Sequence, residues 1–236
     1  MKKVKFEDLG LMRYKPCWDY QEEVFKDIVS QKIACRNSSA KEENNLHPTS
    51  RLIFVEHPHV LTLGRSGDAS NVIVSPARLA ELGVDYFPIN RGGDITYHGP
   101  GQLVAYPIFD LDQYFTDIHK YLRFLEEAVI RTCGDLGVDA GRIDGLTGVW
   151  IDVDAGIKAR KICAFGVKAS RWVTMHGLAF NVDSDLDFFD LIVPCGITDR
   201  GVTTLSKEVG RKVSLEEVKP ILKRHLKDLF EWNEIV

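Results

Sequence analysis

Cysteine is sparse in this chain of 236 residues: five, at 17, 35, 133, 163 and 195, with no Cys-x-x-Cys pair among them. That spacing excludes the common zinc modules and reads as free thiols in a reducing compartment. Missing too is any uninterrupted apolar run near the ~20 residues needed to span a bilayer. Lysines at 2, 3 and 5 open the chain, but Glu7 and Asp8 follow where a signal peptide carries its apolar stretch, so a cytoplasmic protein off the membrane is expected. There is no excess of positive charge: the formal net charge is −4, which argues against non-specific nucleic-acid binding. A phosphate-cradling Gly-x-x-x-x-Gly-Lys-Ser/Thr is absent. His57-Pro58-His59 sets two imidazoles two residues apart, but no third ligand stands near, so a structural role is favoured and no metal is expected.

What is present reads as one globular domain over 1–236, with no internal repeat or linker dividing it. Asp19 with Glu22 suggests a helix start, followed by an apolar stripe at 24, 25, 28 and 29. Residues 36–49 hold almost no large apolar side chain and are expected to form a surface insertion. Short β-rich runs lie at 51–56 and 60–63, a short helix at 76–83, a strand at 84–89 and a buried strand at 103–108. The helix pattern is clearest over 115–136, where Cys133 continues the apolar stripe. Runs at 148–153, 161–168 and 172–182 read as an antiparallel meander. Ser214 with Glu217 suggests a last helix, in which Pro220 sits awkwardly. The pattern is that of an α+β fold with a mixed or antiparallel sheet and flanking helices.

The densest signal is Arg91-Gly92-Gly93-Asp94-Ile95-Thr96-Tyr97-His98-Gly99-Pro100-Gly101-Gln102. Four glycines and a proline in these twelve positions rule out a helix or a long strand there, while the remaining residues are mostly polar. A glycine-rich connection and a ligand-facing loop both fit this stretch taken alone. Downstream stand Lys161-Ile162-Cys163-Ala164-Phe165-Gly166, His176-Gly177-Leu178-Ala179-Phe180-Asn181 and Pro194-Cys195-Gly196.

These four ordered motifs, within roughly residues 51–205, resemble the octanoyltransferase family of lipoate biosynthesis. The resemblance implies a fold shared with lipoate- and biotin-protein ligases. It also implies transfer of an octanoyl group from acyl carrier protein to a lysine of lipoyl domains through a cysteine thioester, the first step of endogenous protein lipoylation. The implied acceptors are the lipoyl domains of 2-oxoacid dehydrogenases and the glycine cleavage H protein. By the same resemblance Cys195 is the acyl-carrying nucleophile and Lys161 its proton-handling partner. No cofactor is implied, ATP and metal included.

The residues permit that chemistry. A thiol of pKa about 8.5 is mostly protonated at neutral pH, and an ammonium beside it favours the thiolate. Cys163 is the rival nucleophile, because on a regular strand it shares a face with Lys161. Arg91, Gly92, Gly93, Asp94, Ile95, Thr96, Tyr97 and His98 are expected around the substrate pocket. The small-residue runs Ala164, Phe165, Gly166 and Gly177, Leu178, Ala179 are expected to leave room for an alkyl chain. His98 and His176 each fit a base or a structural hydrogen bonder. Lys158, Arg160, Lys161, Lys168 and Arg171 place five cations in fourteen positions, suited either to an acidic partner or to a solvated face. Two other readings share the motifs: an ATP-dependent ligase, and a binder of lipoyl domains without activity.

Overall fold

Short, largely apolar runs through the middle of the chain form the buried strands of a broad mixed sheet, and the amphipathic stretches cover it. The computed structural model describes residues 2–37, 47–193 and 201–235. In chain order the first elements are β1 (Lys3–Leu11), α1 (Tyr14–Asn37), β2 (Ser50–Glu56), β3 (Val60–Leu63), α2 (Pro76–Glu81), β4 (Asp85–Pro88), β5 (Ile95–His98) and β6 (Gln102–Ile108). They are followed by α3 (Ile118–Asp135), β7 (Ala140–Ile143), β8 (Leu146–Ile151), β9 (Arg160–Ser170) and β10 (Val173–Asn181). The chain closes with β11 (Gly201–Val202), α4 (Leu205–Val209), α5 (Leu215–Phe230) and β12 (Asn233–Ile235).

The large sheet runs β12-β1-β2-β6-β10-β9-β8-β7, with β11 joined to β9. Its β12–β1, β1–β2 and β11–β9 pairs are parallel and the others antiparallel, so the expected α+β fold with a mixed sheet is what forms. The meander expected from the sequence is β8-β9-β10. A second, three-stranded sheet, β4-β3-β5, stands apart from it. One face of the large sheet packs Phe54, Leu103, Phe180 and Ile162 against Leu125, Val129 and Cys133 of α3 and Leu222 and Leu226 of α5. On another apolar cluster, Ile53, Val104, Tyr106 and Met175 meet Cys17, Val24, Phe25 and Ile28 of α1.

Several element boundaries differ from the sequence expectation. Helix α1 starts at Tyr14, five residues before Asp19, whose carboxylate pairs with Lys15 instead of capping. Pro16 is tolerated there because the first-turn amides have no helical acceptor to lose. Arg36 and Asn37 end α1 rather than open the insertion, and Pro48 at its far side accepts a 2.9 Å bond from Gln113; residues 38–46 lie outside the described residues. Ser214 caps α5 by accepting from the Glu217 amide, and the helix runs through Pro220. The Glu217 carboxylate goes to Arg211, so the capping is one-sided. Among the described residues no helix is long and apolar enough to cross a membrane.

Candidate active site

A cavity of about 470 Å³ lies against β9 and β10. Ala164, Phe165, Gly166 and Val167 of β9 and His176, Gly177, Leu178 and Ala179 of β10 line one side. Arg91, Gly92, Gly93, Asp94, Ile95, Thr96 and His98 line another. Lys161 reaches the cavity from the N-terminal end of β9. Among the described residues, every expected site residue except Tyr97 lines this cavity.

Tyr97 is corrected by its strand. The expected open loop holds a short strand, β5, and its alternation turns Tyr97 away from Thr96 and His98. Tyr97 packs with Leu61, Leu79 and Ile192, lies against the Phe188 ring, and bonds His59 Nδ1 at 2.8 Å. Cys195 lies outside the described residues. Its chain neighbours are anchored: Val193 donates its amide to Asn71, and Val202, which lines the cavity, pairs in register with Lys161.

Arg91 is held along the sheet. Its guanidinium donates to the Thr62 carbonyl (2.6 Å) and hydroxyl (3.0 Å) and to the Gly92 carbonyl (3.0 Å), while the Gly92 amide bonds Val167 of β9. Gly166 permits this close approach, since a Cβ there would stand 2.7 Å from Arg91 Cδ. The glycine loop is thus stapled over β9, and the Gly92 amide is spent on the fold.

The two histidines whose roles the sequence left open differ in their partners. His98 Nδ1–H donates to Gln102 Oε1 at 2.7 Å, because the Gln102 amide nitrogen already donates to Asn181 and to the Tyr97 carbonyl. Its Nε2 accepts from Thr62 at 3.5 Å. Burial, with His57 and Arg91 nearby, pushes its pKa down to about 3, so it is neutral, with both nitrogens engaged. His176 donates Nε2–H to Asn90, whose amide nitrogen is committed to Glu22, and Nδ1 has no hydrogen-bond partner among the described residues. Burial and the Arg91 charge lower its pKa to about 3. His176 also takes a left-handed backbone conformation, φ 61°. His57 and His59 part company, His57 bonding Met12 and Tyr106 and His59 bonding Tyr97, as structural residues do.

Cys163 does not share a face with Lys161. Val149 pairs with Cys163 but Trp150 with Lys161, a bulge that leaves Ile162 unopposed and reverses the alternation between them. Cys163 is fully buried beside Cys133 under α3, away from the cavity lining, and burial raises its thiol pKa well above the usual range. Cys17 and Cys133 are pushed up to about 12 by burial, and Cys35 is exposed on α1. Lys161 Nζ sits 4.6 Å from the Trp150 ring centre. No group of three or more His, Cys, Asp or Glu among the described residues is placed to hold a metal.

The five-cation run divides into paired and exposed members. Arg160 is taken up by Asp152 and Glu208, and Lys168 by Glu22 and the Phe25 ring, which leaves Lys158 and Arg171 as its exposed members. Sequence reasoning missed other lining groups: Tyr14, Leu122, Gly145, Leu146, Thr147 and Phe189. Asp144-Gly145 is a turn signal that places the β7–β8 hairpin, but nothing in it tells that the hairpin meets β9 at a cavity.

Residues 14–227 match the profile of the lipoyl protein ligase A/B catalytic domain. An octanoyltransferase of Cytophaga hutchinsonii is 57% identical over 98% of this chain and 94% of its own length. One from Flavobacterium johnsoniae is 55% identical over 98% and 97%. The chain belongs to the octanoyltransferase family. Solved lipoate ligases share its fold: the bipartite lipoate protein ligase of Thermoplasma acidophilum has a TM-score of 0.68 at 20% identity over 100% of this chain and 88% of that one. A lipoate-protein ligase A bound with ATP has a TM-score of 0.65 at 20% identity, over 99% and 89%. As an octanoyltransferase the chain is an acyltransferase of protein lipoylation.

Proposed function

We propose that this octanoyltransferase takes its acyl group from octanoyl-acyl carrier protein, carries it on Cys195, and delivers it to a lysine of a lipoyl domain. The acceptor is the lipoyl domain of a 2-oxoacid dehydrogenase or the glycine cleavage H protein, met in the cytosol. The observation that carries this reading is Lys161 at the end of a cavity walled by Ala164, Gly166, Gly177 and Ala179. Each buried methylene contributes about 0.8 kcal/mol, so eight carbons along such a wall are held by several kcal/mol.

The Cys195 thiolate attacks the thioester carbonyl, and the C–S bond to the phosphopantetheine arm breaks. Lys161 gives its proton to the departing pantetheine thiolate and is left as a neutral amine. That amine takes a proton from the acceptor lysine, which attacks the Cys195 thioester; the amide forms and the Cys195 thiolate departs. His98 supplies no proton in this scheme, because both its nitrogens are engaged. The Lys161 ammonium stabilises the thiolate between turnovers. The scheme balances without ATP, a metal or any other cofactor.

The test offers an apo lipoyl domain two donors: octanoyl-acyl carrier protein without ATP, and free octanoate with ATP. Acylation of the domain from the first donor alone supports the proposal. Acylation from octanoate that requires ATP makes the chain a ligase, and no acylation with either makes it a binder without activity.

A further inference from the structure

We infer that Trp150 is a positioning residue that fixes the ammonium of Lys161 for proton transfer, an inference that rests on the proposed role of Lys161. Trp150 and Lys161 are cross-strand partners on β8 and β9, brought opposite one another by the bulge at Ile162. The indole is almost wholly buried and does not line the cavity, whereas Lys161 does. Its ring centre lies 4.6 Å from Lys161 Nζ, within the range at which an aromatic face attracts a cation. Tryptophan has the strongest such face.

The stem of the lysine is fitted as closely as its head. At Gly148 a Cβ would stand 3.1 Å from Lys161 Cε, 3.0 Å from Trp150 Nε1 and 3.3 Å from the Cys163 carbonyl. Gly148 also holds φ at +145°, a conformation that L side chains rarely adopt. Its amide is tied at 3.1 Å to Glu126, a fully buried carboxylate fixed in turn by Arg142 and Arg123. Glu126 therefore locks the bare backbone over which the lysine stem passes, and Trp150 receives the charge at its end. A lysine side chain has many accessible rotamers, so its ammonium wanders unless something holds it. A flexible ammonium that must meet a leaving thiolate and then an incoming amine gains from a fixed resting place between the two.

The test compares Trp150→Phe and Trp150→Leu in the full chain, following single-turnover acylation from octanoyl-acyl carrier protein, donor KM and the thermal midpoint. Phenylalanine keeps an aromatic face and should slow acylation about three- to fivefold; leucine, with none, should slow it at least tenfold, in line with the ~0.5–2 kcal/mol span of such contacts. Donor KM should stay within twofold for both. In a Lys161→Met background, Trp150→Phe should bring no further loss. Wild-type rates in both tryptophan variants, equal slowing by Phe and Leu, or the same slowing by Trp150→Phe with and without Lys161 would each overturn the inference. Should Lys161→Met itself acylate at the wild-type rate, the lysine role fails first. A dead Lys161→Met beside a fully active Trp150→Leu removes only the tryptophan.

Discussion

The two ends of the cavity are built on opposite principles. Lys161 and Val167, the register partner of His176, are six residues apart on β9, roughly 20 Å of extended chain. At the His176 end the polar groups are mostly pinned: Arg91 by Thr62 and Gly92, His98 by Gln102 and Thr62, Tyr106 by His57. Burial keeps all three imidazoles there neutral. At the Lys161 end the ammonium of a long side chain rests against an aromatic face, its stem passing a bare glycine. In the proposed scheme the locked end shapes the cavity and the amine at the other end moves protons. The octanoyltransferase motifs span both, which explains why their residues, though all near one cavity, should respond to substitution in different ways.

The sharpest break comes at the lysine end. Lys161→Arg keeps the charge but cannot release a proton near neutral pH, so transfer to the lipoyl domain should fall at least ~100-fold. Steady-state acylation of the acceptor checks this, and a variant near wild-type activity would reduce Lys161 to a fixed charge.

The locked end should fail through stability instead. Burial holds His57 at about 4 and His98 and His176 at about 3, below the ordinary 6.5. In the unfolded chain these imidazoles take up protons near pH 6.5 that the native state refuses. Their contribution is thus intact above that pH and is lost as pH falls toward 3–4, by up to ~1.4 kcal/mol per pH unit for each histidine. Urea unfolding at pH 7.5, 6, 5 and 4.5 should show that decline, and His98→Gln should reduce its slope by about one proton. A flat profile would mean that the imidazoles are charged or solvated in the native state.

Gly166→Ala should cost about 1–3 kcal/mol, because the new methyl group meets Arg91 Cδ at 2.7 Å and the Gly92 carbonyl at 3.1 Å. Thermal unfolding reads the loss; an unchanged midpoint would show that the glycine loop is not stapled tightly to β9. The smallest effect is expected at the surface. Reversing the exposed Lys158 to Glu should slow acylation from the carrier protein only two- to threefold at low salt, and the deficit should fade near 0.15 M, where the Debye length is about 8 Å. An equal loss with a small pantetheine thioester would place Lys158 in the pocket or the fold.

Much of this arrangement was legible from local pattern. The β8-β9-β10 meander follows from apolar runs and tight turns, and Ala164, Gly166, Gly177 and Ala179 fall where the motifs set them, along the cavity. Four things were not legible, each for a physical reason. Tyr97 was read as part of a loop, whereas four residues of strand give it an inward direction. Cys163 was put on the face of Lys161 by simple alternation, and a bulge, a property of the pairing with β8, reversed it. Strand β1 alternates Val4 and Phe6 with Lys3, Lys5 and Glu7, a signal masked by the charge of that stretch and settled by pairing with β2 and β12 from distant sequence. The start of α1 was misplaced because Asp19 with Glu22 has the spacing of a cap, whereas the helix already runs from Tyr14 and Asp19 spends its carboxylate on Lys15.

The most direct test of the scheme asks where the acyl group rests between donor and acceptor. Purified protein mixed with octanoyl-acyl carrier protein, without ATP and without a lipoyl domain, is examined by intact mass and peptide mapping. The expected result is one octanoyl group per chain, labile to hydroxylamine, on Cys195, and absent from a Cys195→Ser variant treated alike. An octanoyl group on Cys163, or an unmodified chain that still octanoylates a lipoyl domain when one is added, would contradict the thioester relay.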